Sequence, residues 1–173
     1  LTYATQVGYS STQALMFDIA LSVAIVFSAP LFGYLSDLLG RRRVMVFGAV
    51  VMAMGMFGFF AMVGIKSYAI AMFAYILVGL LMGATQGPIP AFLGEQFPRS
   101  MRYSGISASY HIGAALGGGT ASSIATAILI FTDHNPMGVA VYGATALALV
   151  AIFSMLLRET SRLSMAHIDE DPS

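Results

Sequence analysis

Long apolar runs separated by short polar breaks dominate the chain. Each run has about 20 residues or more, the length at which a helix crosses a hydrocarbon core of about 30 Å. None of them alternates apolar and polar residues with the period of two that a barrel strand requires. The pattern therefore predicts five membrane-spanning helices, at about residues 15–38, 44–63, 68–93, 105–131 and 138–157.

The breaks between the runs contain charges, Gly or Pro, as connections do. Most basic residues follow the first, third and fifth runs: Arg41, Arg42, Arg43, Arg99, Arg102, Arg158 and Arg162. In the two remaining breaks, Lys66 is the only lysine or arginine. Because cytoplasmic loops are enriched in Lys and Arg, the arginine-rich ends are expected in the cytoplasm. The C-terminus is then cytoplasmic as well.

Composition excludes a soluble enzyme. Hydrophobic residues make up 58% of the 173 residues and charged residues only 9%, against about 25% charged in an average soluble domain. The net charge is zero, which offers no attraction for nucleic acid, and the absence of Cys excludes disulfides and thiolate ligands. The sequence contains no nucleotide, cofactor or metal motif. We therefore expect an all-α integral membrane protein that is not an enzyme.

The chain divides into three expected parts. Residues 1–12 are interpreted as the end of a preceding helix and an outer loop, residues 13–163 as the transmembrane bundle, and residues 164–173 as a cytoplasmic tail. The chain starts with Leu1, and five is an odd number for a fold of paired repeats. We expect it to be part of a longer protein.

A charged motif closes the first span, where residues 33–43 read Gly-Tyr-Leu-Ser-Asp-Leu-Leu-Gly-Arg-Arg-Arg. Asp37 lies at a helix C-terminus, where the helix dipole disfavours a carboxylate. It should be held by an arginine beyond Gly40 or by the start of another helix. Gly33 permits close helix approach and Gly40 a tight turn. Alternatively, the three arginines serve only as a topological anchor.

This motif resembles the loop signature that major facilitator superfamily transporters carry between helices 8 and 9. Residues 95–105 are similar to the superfamily's Glu-x-Phe-Pro-x-x-x-Arg-x-x-Gly element between helices 10 and 11. Residues 109–119 most resemble the metabolite:proton symporter branch, and Arg158-Glu159-Thr160 is similar to the motif after helix 12. The resemblance implies helices 8–12 of a twelve-helix fold that also needs an N-terminal six-helix half.

What the resemblance implies for function is secondary active transport across the inner membrane. A small organic acid or zwitterion, such as shikimate, 2-oxoglutarate, citrate, proline or betaine, would move with protons by alternating access. In such proteins, charges at the cytoplasmic face form salt bridges that hold one conformation. The residues matching that gating network are Gly33, Asp37, Gly40, Arg41, Arg42, Glu95, Arg102 and Glu159. The alternative is that these charges are solvated loop residues that form no network.

Polar side chains inside the spans are the candidates for substrate contact. His111 is the one histidine within a span, and Gln86 lies at a similar depth in the neighbouring span. Tyr75 is 11 residues, or three helical turns, from Gln86 and so shares its face. With Tyr110, these residues are predicted to line a cavity, although they could equally be interhelical hydrogen-bonding groups. His111 could also exchange a proton near neutral pH. Asp18 is interpreted as a hydrated residue or outer gate.

Glycines recur at every fourth position in two spans. The first set is Gly79, Gly83 and Gly87, followed by Pro88 and Pro90, and the second begins with Gly113 and Gly117. Such spacing permits close approach of helix backbones, and the prolines mark plausible bending points.

Two other functions remain open from sequence. A proton-driven drug or metabolite exporter would share the fold but favour an aromatic cavity, whereas the candidate site residues are polar. A non-transporting membrane scaffold fragment would need no coupling residues at all.

Overall fold

The computed structural model describes residues 2–98, 100–132 and 135–156. These residues are almost entirely helical and contain no strand. The helices are α1 (Thr2–Val7), α2 (Ser11–Leu39), α3 (Arg41–Gly64), α4 (Tyr68–Gln86), α5 (Ile89–Gln96), α6 (Arg102–Gly113), a π-helical segment (Ala114–Gly118), α7 (Gly119–Phe131) and α8 (Pro136–Leu156).

The five predicted spans are confirmed as five helical stretches that are long and apolar enough to cross a membrane. They are Ser11–Leu39, Arg41–Gly64, Tyr68–Gln96, Arg102–Phe131 and Pro136–Leu156. Their described ends lie up to four residues beyond the predicted ones, because hydropathy stops where polar residues begin while the helix continues. Ser10, for example, caps α2 through a reciprocal pair of hydrogen bonds with Gln13. The predicted end of the fifth span at residue 157 and the tail 164–173 lie outside the described residues.

The packing follows a chain of neighbouring helices: α2 packs on α4, α4 on α3, and α3 on α8. Successive spans run in opposite directions, so the bundle has two ends. We call them the Tyr9 end, which also holds Ile65 and Thr132, and the Gly40 end, which also holds Gln96 and Arg102.

An aromatic cluster fills the core at the Tyr9 end. Phe17 is fully buried and its ring lies 5.2 Å from Tyr9, 5.2 Å from Tyr68 and 5.3 Å from Tyr75, measured between centroids. The Tyr9 hydroxyl donates to the carbonyls of Val63 and Ser67, at 3.3 and 3.2 Å. Burial raises the pKa of the Tyr9 phenol. The cluster thus ties the start of α2 to the connection between α3 and α4.

The α2–α4 interface is closed by the first glycine set. A Cβ added at Gly79 would lie 2.5 Å from the Leu21 carbonyl oxygen, and one at Gly83 would lie 2.6 Å from Ser28 Cβ. A Cβ at Gly87 would lie 2.9 Å from the Gly33 nitrogen. Real Cβ atoms do not approach other atoms this closely, so these glycines let the two backbones touch. We call this interface the glycine seam.

The stretch from α6 through the π-helical segment to α7 is packed very differently. Against the described residues, α6 and the π-helical segment bury no residue, and α7 buries only Leu129. Contacts hold this stretch near its two ends, where Gly105 meets Phe97 and Ile128 meets Gly138. The middle of the stretch is exposed.

Candidate functional site

The charged motif at the Gly40 end is organised by one backbone turn. Gly40 separates α2 from α3 with φ 102°, a left-handed region that side chains disfavour. The turn lets α3 begin immediately after α2 ends. Asp37 and Arg41, four residues apart in the sequence, therefore lie on either side of the junction. Gly33 has more room than expected, because a Cβ there would be 3.6 Å from the Gly87 carbonyl oxygen. The close approach at this point requires glycine at Gly87 rather than at Gly33.

Arg41 supplies the cation beside Asp37. Its Nη2 lies 3.1 Å from Asp37 Oδ1 and 2.9 Å from Glu95 Oε1. The Glu95 side chain is only 7% exposed and Arg41 14%, whereas Asp37 is 57% exposed. One guanidinium therefore links α2, α3 and α5 through a buried pair and an exposed pair. Its Nε and Nη1 have no hydrogen-bond acceptor among the described residues.

The segment that follows Glu95 is folded back on itself. Arg102 Nε donates to the Phe97 carbonyl oxygen at 3.3 Å. The Phe97 ring packs on Gly105, where an added Cβ would lie 2.6 Å from the ring. Phe97 and Gly105 were not among the predicted site residues, although their spacing within the motif was the available signal. They fix the turn that carries Glu95 and Arg102 at the same end of the bundle.

Two further members of the predicted network are Arg42 and Glu159. Arg42 follows Arg41 in the first turn of α3 and is partly buried. Glu159 lies outside the described residues.

The four candidate substrate residues are not brought together as one cluster. Tyr75 is buried, packed between the Phe17 and Phe59 rings at centroid distances of 5.3 and 5.0 Å. Gln86 is exposed at the last residue of α4, where the helix is interrupted before Pro88. Tyr110 and His111 are both exposed on α6, with ring centroids 5.9 Å apart. Within the described residues, no hydrogen bond or ring contact joins Tyr75 or Gln86 to that pair.

Asp18 lies two helical turns inside α2 and is exposed. It shares an open surface with Ser22 and with apolar residues of the same helix. It makes no ion pair within the described part of the chain, which leaves its predicted role as a hydrated or gating residue open.

Comparison with known proteins identifies the family to which the chain belongs. Residues 1–171 match the Major Facilitator Superfamily. The chain is 36% identical over 138 residues to the inner membrane metabolite transport protein YhjE of Escherichia coli K12, covering 79% of this chain and 31% of that protein. It is 29% identical over 168 residues to the shikimate transporter of the same strain, covering 94% and 37%. Its identity to that strain's proline/betaine transporter is 24% over 153 residues, covering 88% and 30%.

The chain thus spans about a third of the length of these relatives. No solved structure matches it significantly. The relatives carry the names of metabolite, shikimate and proline/betaine transport proteins, as the resemblance to the metabolite:proton symporter branch predicted. The family consists of transporters rather than enzymes. With five candidate spans and a family match across nearly every residue, this multi-pass membrane chain belongs to the Major Facilitator Superfamily.

Proposed function

We propose that this chain is the helix 8–12 part of a secondary active transporter in the inner membrane. It would work with an N-terminal six-helix half and move a small organic acid or zwitterion by proton symport. Supporting this proposal, the relatives named above include shikimate and proline/betaine transporters. Shikimate is an organic acid, and proline and betaine are zwitterions, so each offers a carboxylate. The arginine-rich Gly40 end and the C-terminus would face the cytoplasm.

The observation that carries the proposal is the exposed polar surface of α6. This helix belongs to a stretch long and apolar enough to span a membrane, yet none of its residues is fully buried against the described residues. Tyr110 is 54% exposed and His111 is exposed beside it. Polar and ionisable groups in a span face a bundle interior or a water-filled cavity rather than lipid. The α6 face therefore suits a solute pathway between this bundle and a second half.

Gln86 extends that surface from a second helix. Its side chain is exposed where α4 ends, and Pro88 prevents the helix from continuing regularly past it. An amide offers both donors and an acceptor to a carboxylate or hydroxyl group. We assign Gln86, Tyr110 and His111 to substrate contact. Tyr75 would support these residues indirectly. Because it is buried among aromatic rings, it is better suited to positioning α4 than to contacting a solute.

The Asp37–Arg41–Glu95 network would hold the Gly40 end closed in one conformation. Arg41 joins three helices with a single nitrogen, so a small shift of α5 would separate Glu95 from it. A network of this kind biases the populations of two conformations of similar energy. Arg102 would assist by fixing the turn after α5, and Gly40 by allowing the junction between α2 and α3. Arg42 and Glu159 remain proposed members of the network.

The deciding experiment is uptake into vesicles that contain the full-length protein. Labelled shikimate, betaine and a dicarboxylate would be tested with and without an inward proton gradient. We expect uptake of at least one of them to increase with the gradient, and to fall in His111→Ala and Gln86→Ala. Ile112→Ala is the matched control, because Ile112 is exposed on the same helix beside His111 but offers no polar group.

Each contrary result selects a different function. Outward movement of a hydrophobic dye under a reversed gradient would replace the symporter with an exporter. No transport of any solute in a folded protein would favour the scaffold. Equal loss of uptake in the alanine variants and in the Ile112 control would remove the assignment of the α6 surface as the substrate site.

A further inference from the structure

An apolar groove lies between α2 and α3 at the Gly40 end. Its volume is about 330 Å³. Phe32, Leu35 and Leu39 line it from α2, and Arg43, Val44 and Phe47 line it from α3. The α2 residues cover two helical turns, or about 10 Å along the axis. The groove therefore begins at the end of the span and runs toward its middle.

Arg43 is the single charged residue among the described residues that line this groove. Of the three arginines that begin α3, Arg41 turns inward to Asp37 and Glu95. Arg43 is exposed and makes no ion pair or hydrogen bond with the described residues. A guanidinium is thus available where an apolar cleft opens at the end of two spans, and neither the proposed gating network nor the proposed substrate surface uses it.

We propose that this groove binds an anionic phospholipid of the leaflet at the Gly40 end. An acyl chain would occupy the cleft formed by Phe32, Leu35 and Phe47, and the lipid phosphate would pair with Arg43. Leu39 and Phe47 are 58% and 61% exposed, so the cleft is open along its length. Arginine presents several donors in a planar arrangement that suits a phosphate group.

Charge complementarity favours a lipid over a protein helix as the occupant. An apolar helix laid across the groove would bury Arg43 without a counter-charge, which is costly. A phospholipid satisfies both parts of the site, because its apolar chain and its charged phosphate are joined at the distance that separates the hydrocarbon core from the interface. Basic pockets between spans are suited to anionic headgroups in this way.

A second groove shows what the arginine adds. It lies at the Tyr9 end between α1, α3 and α8, with a volume of about 400 Å³ and a lining that includes Tyr3, Phe60 and Met137. None of the described residues that line it is charged. We expect this groove to accept acyl chains without regard to headgroup charge. We assign the selectivity for anionic lipid to Arg43, because a zwitterionic lipid carries the same phosphate together with a cationic group that the guanidinium repels.

The test is lipid binding to the full-length protein after delipidation in detergent. Native mass spectrometry would count bound phosphatidylglycerol and phosphatidylcholine at equal concentration. Arg43→Gln should lower the preference for phosphatidylglycerol about fivefold, the contribution of one basic residue near an anionic headgroup. Arg42→Gln is the matched control, since it removes the same charge one residue away but lines no part of the groove. It should keep the preference.

Two further variants separate the groove from general electrostatic attraction. Arg43→Lys keeps the charge and should retain most of the preference, which guards against a folding defect in Arg43→Gln. Leu35→Trp fills the cleft and leaves every arginine in place, so it should reduce phosphatidylglycerol binding. Glycerol 3-phosphate should not displace the lipid, because it lacks the acyl chain.

Three results would overturn the lipid site. Equal losses in Arg43→Gln and Arg42→Gln would show diffuse attraction to the arginine cluster. Unchanged lipid binding in Leu35→Trp would show that the lipid does not occupy the groove. Displacement by glycerol 3-phosphate would identify a soluble phosphate compound as the ligand. The binding measurement is independent of transport, so failure of the proposed function would leave this result unaffected.

Discussion

The third and fourth spans both carry glycine at every fourth residue, but only one of them uses it to pack. In the third span, Gly79, Gly83 and Gly87 lie so close to α2 that no Cβ would fit without a shift. At Gly113 and Gly117, a Cβ would meet no heavy atom of the described residues within 4 Å. Glycine spacing therefore permits two helix backbones to approach closely, but the approach takes place only where a partner helix is present.

Polar groups divide between the two regions in the same way. The packed region pairs charged groups internally, as Arg41 pairs with Glu95, although Nε and Nη1 of Arg41 have no acceptor among the described residues. The α6 stretch instead leaves Tyr110 and His111 exposed. The packed region resembles a protein interior, whereas the α6 stretch presents polar groups at an exposed surface. Four substitutions test this contrast.

The largest effect is expected at Glu95. Glu95→Gln keeps the shape of the side chain but removes the negative charge that lies 2.9 Å from the largely buried Arg41 guanidinium. Breaking a buried pair in this way costs about 3 kcal/mol of unfolding free energy, because Asp37 is too exposed to compensate. Denaturant titration of the full-length protein in mixed micelles would measure it. His111→Gln on the open face is the comparison and should leave stability unchanged. Similar losses in both would break the contrast.

At the glycine seam, Gly83→Ala is expected to destabilise by about 2 kcal/mol, the typical cost of forcing extra volume into a packed site. The added Cβ would lie 2.6 Å from Ser28 Cβ, and Ser28 is itself buried. The same titration measures the loss. Ser28→Gly should restore part of it in the double variant, since it removes the atoms that clash. No rescue would indicate that the loss arises elsewhere.

Gly117→Ala should have the opposite sign. Alanine is favoured over glycine in a helix by about 1 kcal/mol, and no described atom stands where the Cβ would go. A gain in the thermal unfolding midpoint is expected if this face lines an aqueous pathway. Destabilisation of the full-length protein would instead show that another helix packs directly on the π-helical segment, and would correct the proposed substrate surface.

The smallest effect on stability is expected at Asp37, which is 57% exposed. Asp37→Lys should change the unfolding free energy by less than about 1 kcal/mol, as is typical of exposed pairs. Transport should nevertheless slow, because a lysine would repel Arg41 and weaken the proposed closed conformation. Initial uptake rates measured alongside protein amount test this. A normal rate would argue against a gating role for the network.

Much of the fold could be predicted from run length alone, because a bilayer imposes a minimum number of apolar residues on every span. The π-helical segment could not. It differs from an α-helix by a wider turn over five residues, which leaves no trace in hydropathy. The interruption of the third span could be expected from Pro88 and Pro90, but not the fact that α4 ends at Gln86.

The candidate site shows a sharper division. The four-residue spacing of Asp37 and Arg41 made their pairing predictable, whereas Glu95 is more than 50 residues away and its contact depends on how α5 packs. Helical spacing placed Tyr75 on one face with Gln86 but did not indicate what that face meets. At Tyr75 it meets the aromatic core. Periodicity identifies a shared face and leaves its environment to tertiary structure.

Ser28 has a consequence for how the bundle assembles during synthesis. Its hydroxyl lies 3.3 Å from the Ile25 carbonyl of its own helix and 3.2 Å from the Gly79 carbonyl of α4. When α2 first enters the bilayer, α4 has not yet been made, and the Ser28 hydroxyl can donate to the Ile25 carbonyl of its own helix. Arrival of α4 then adds a second acceptor without exposing an unsatisfied group to lipid at any stage. The order of translation and the order of helix association are thereby made compatible.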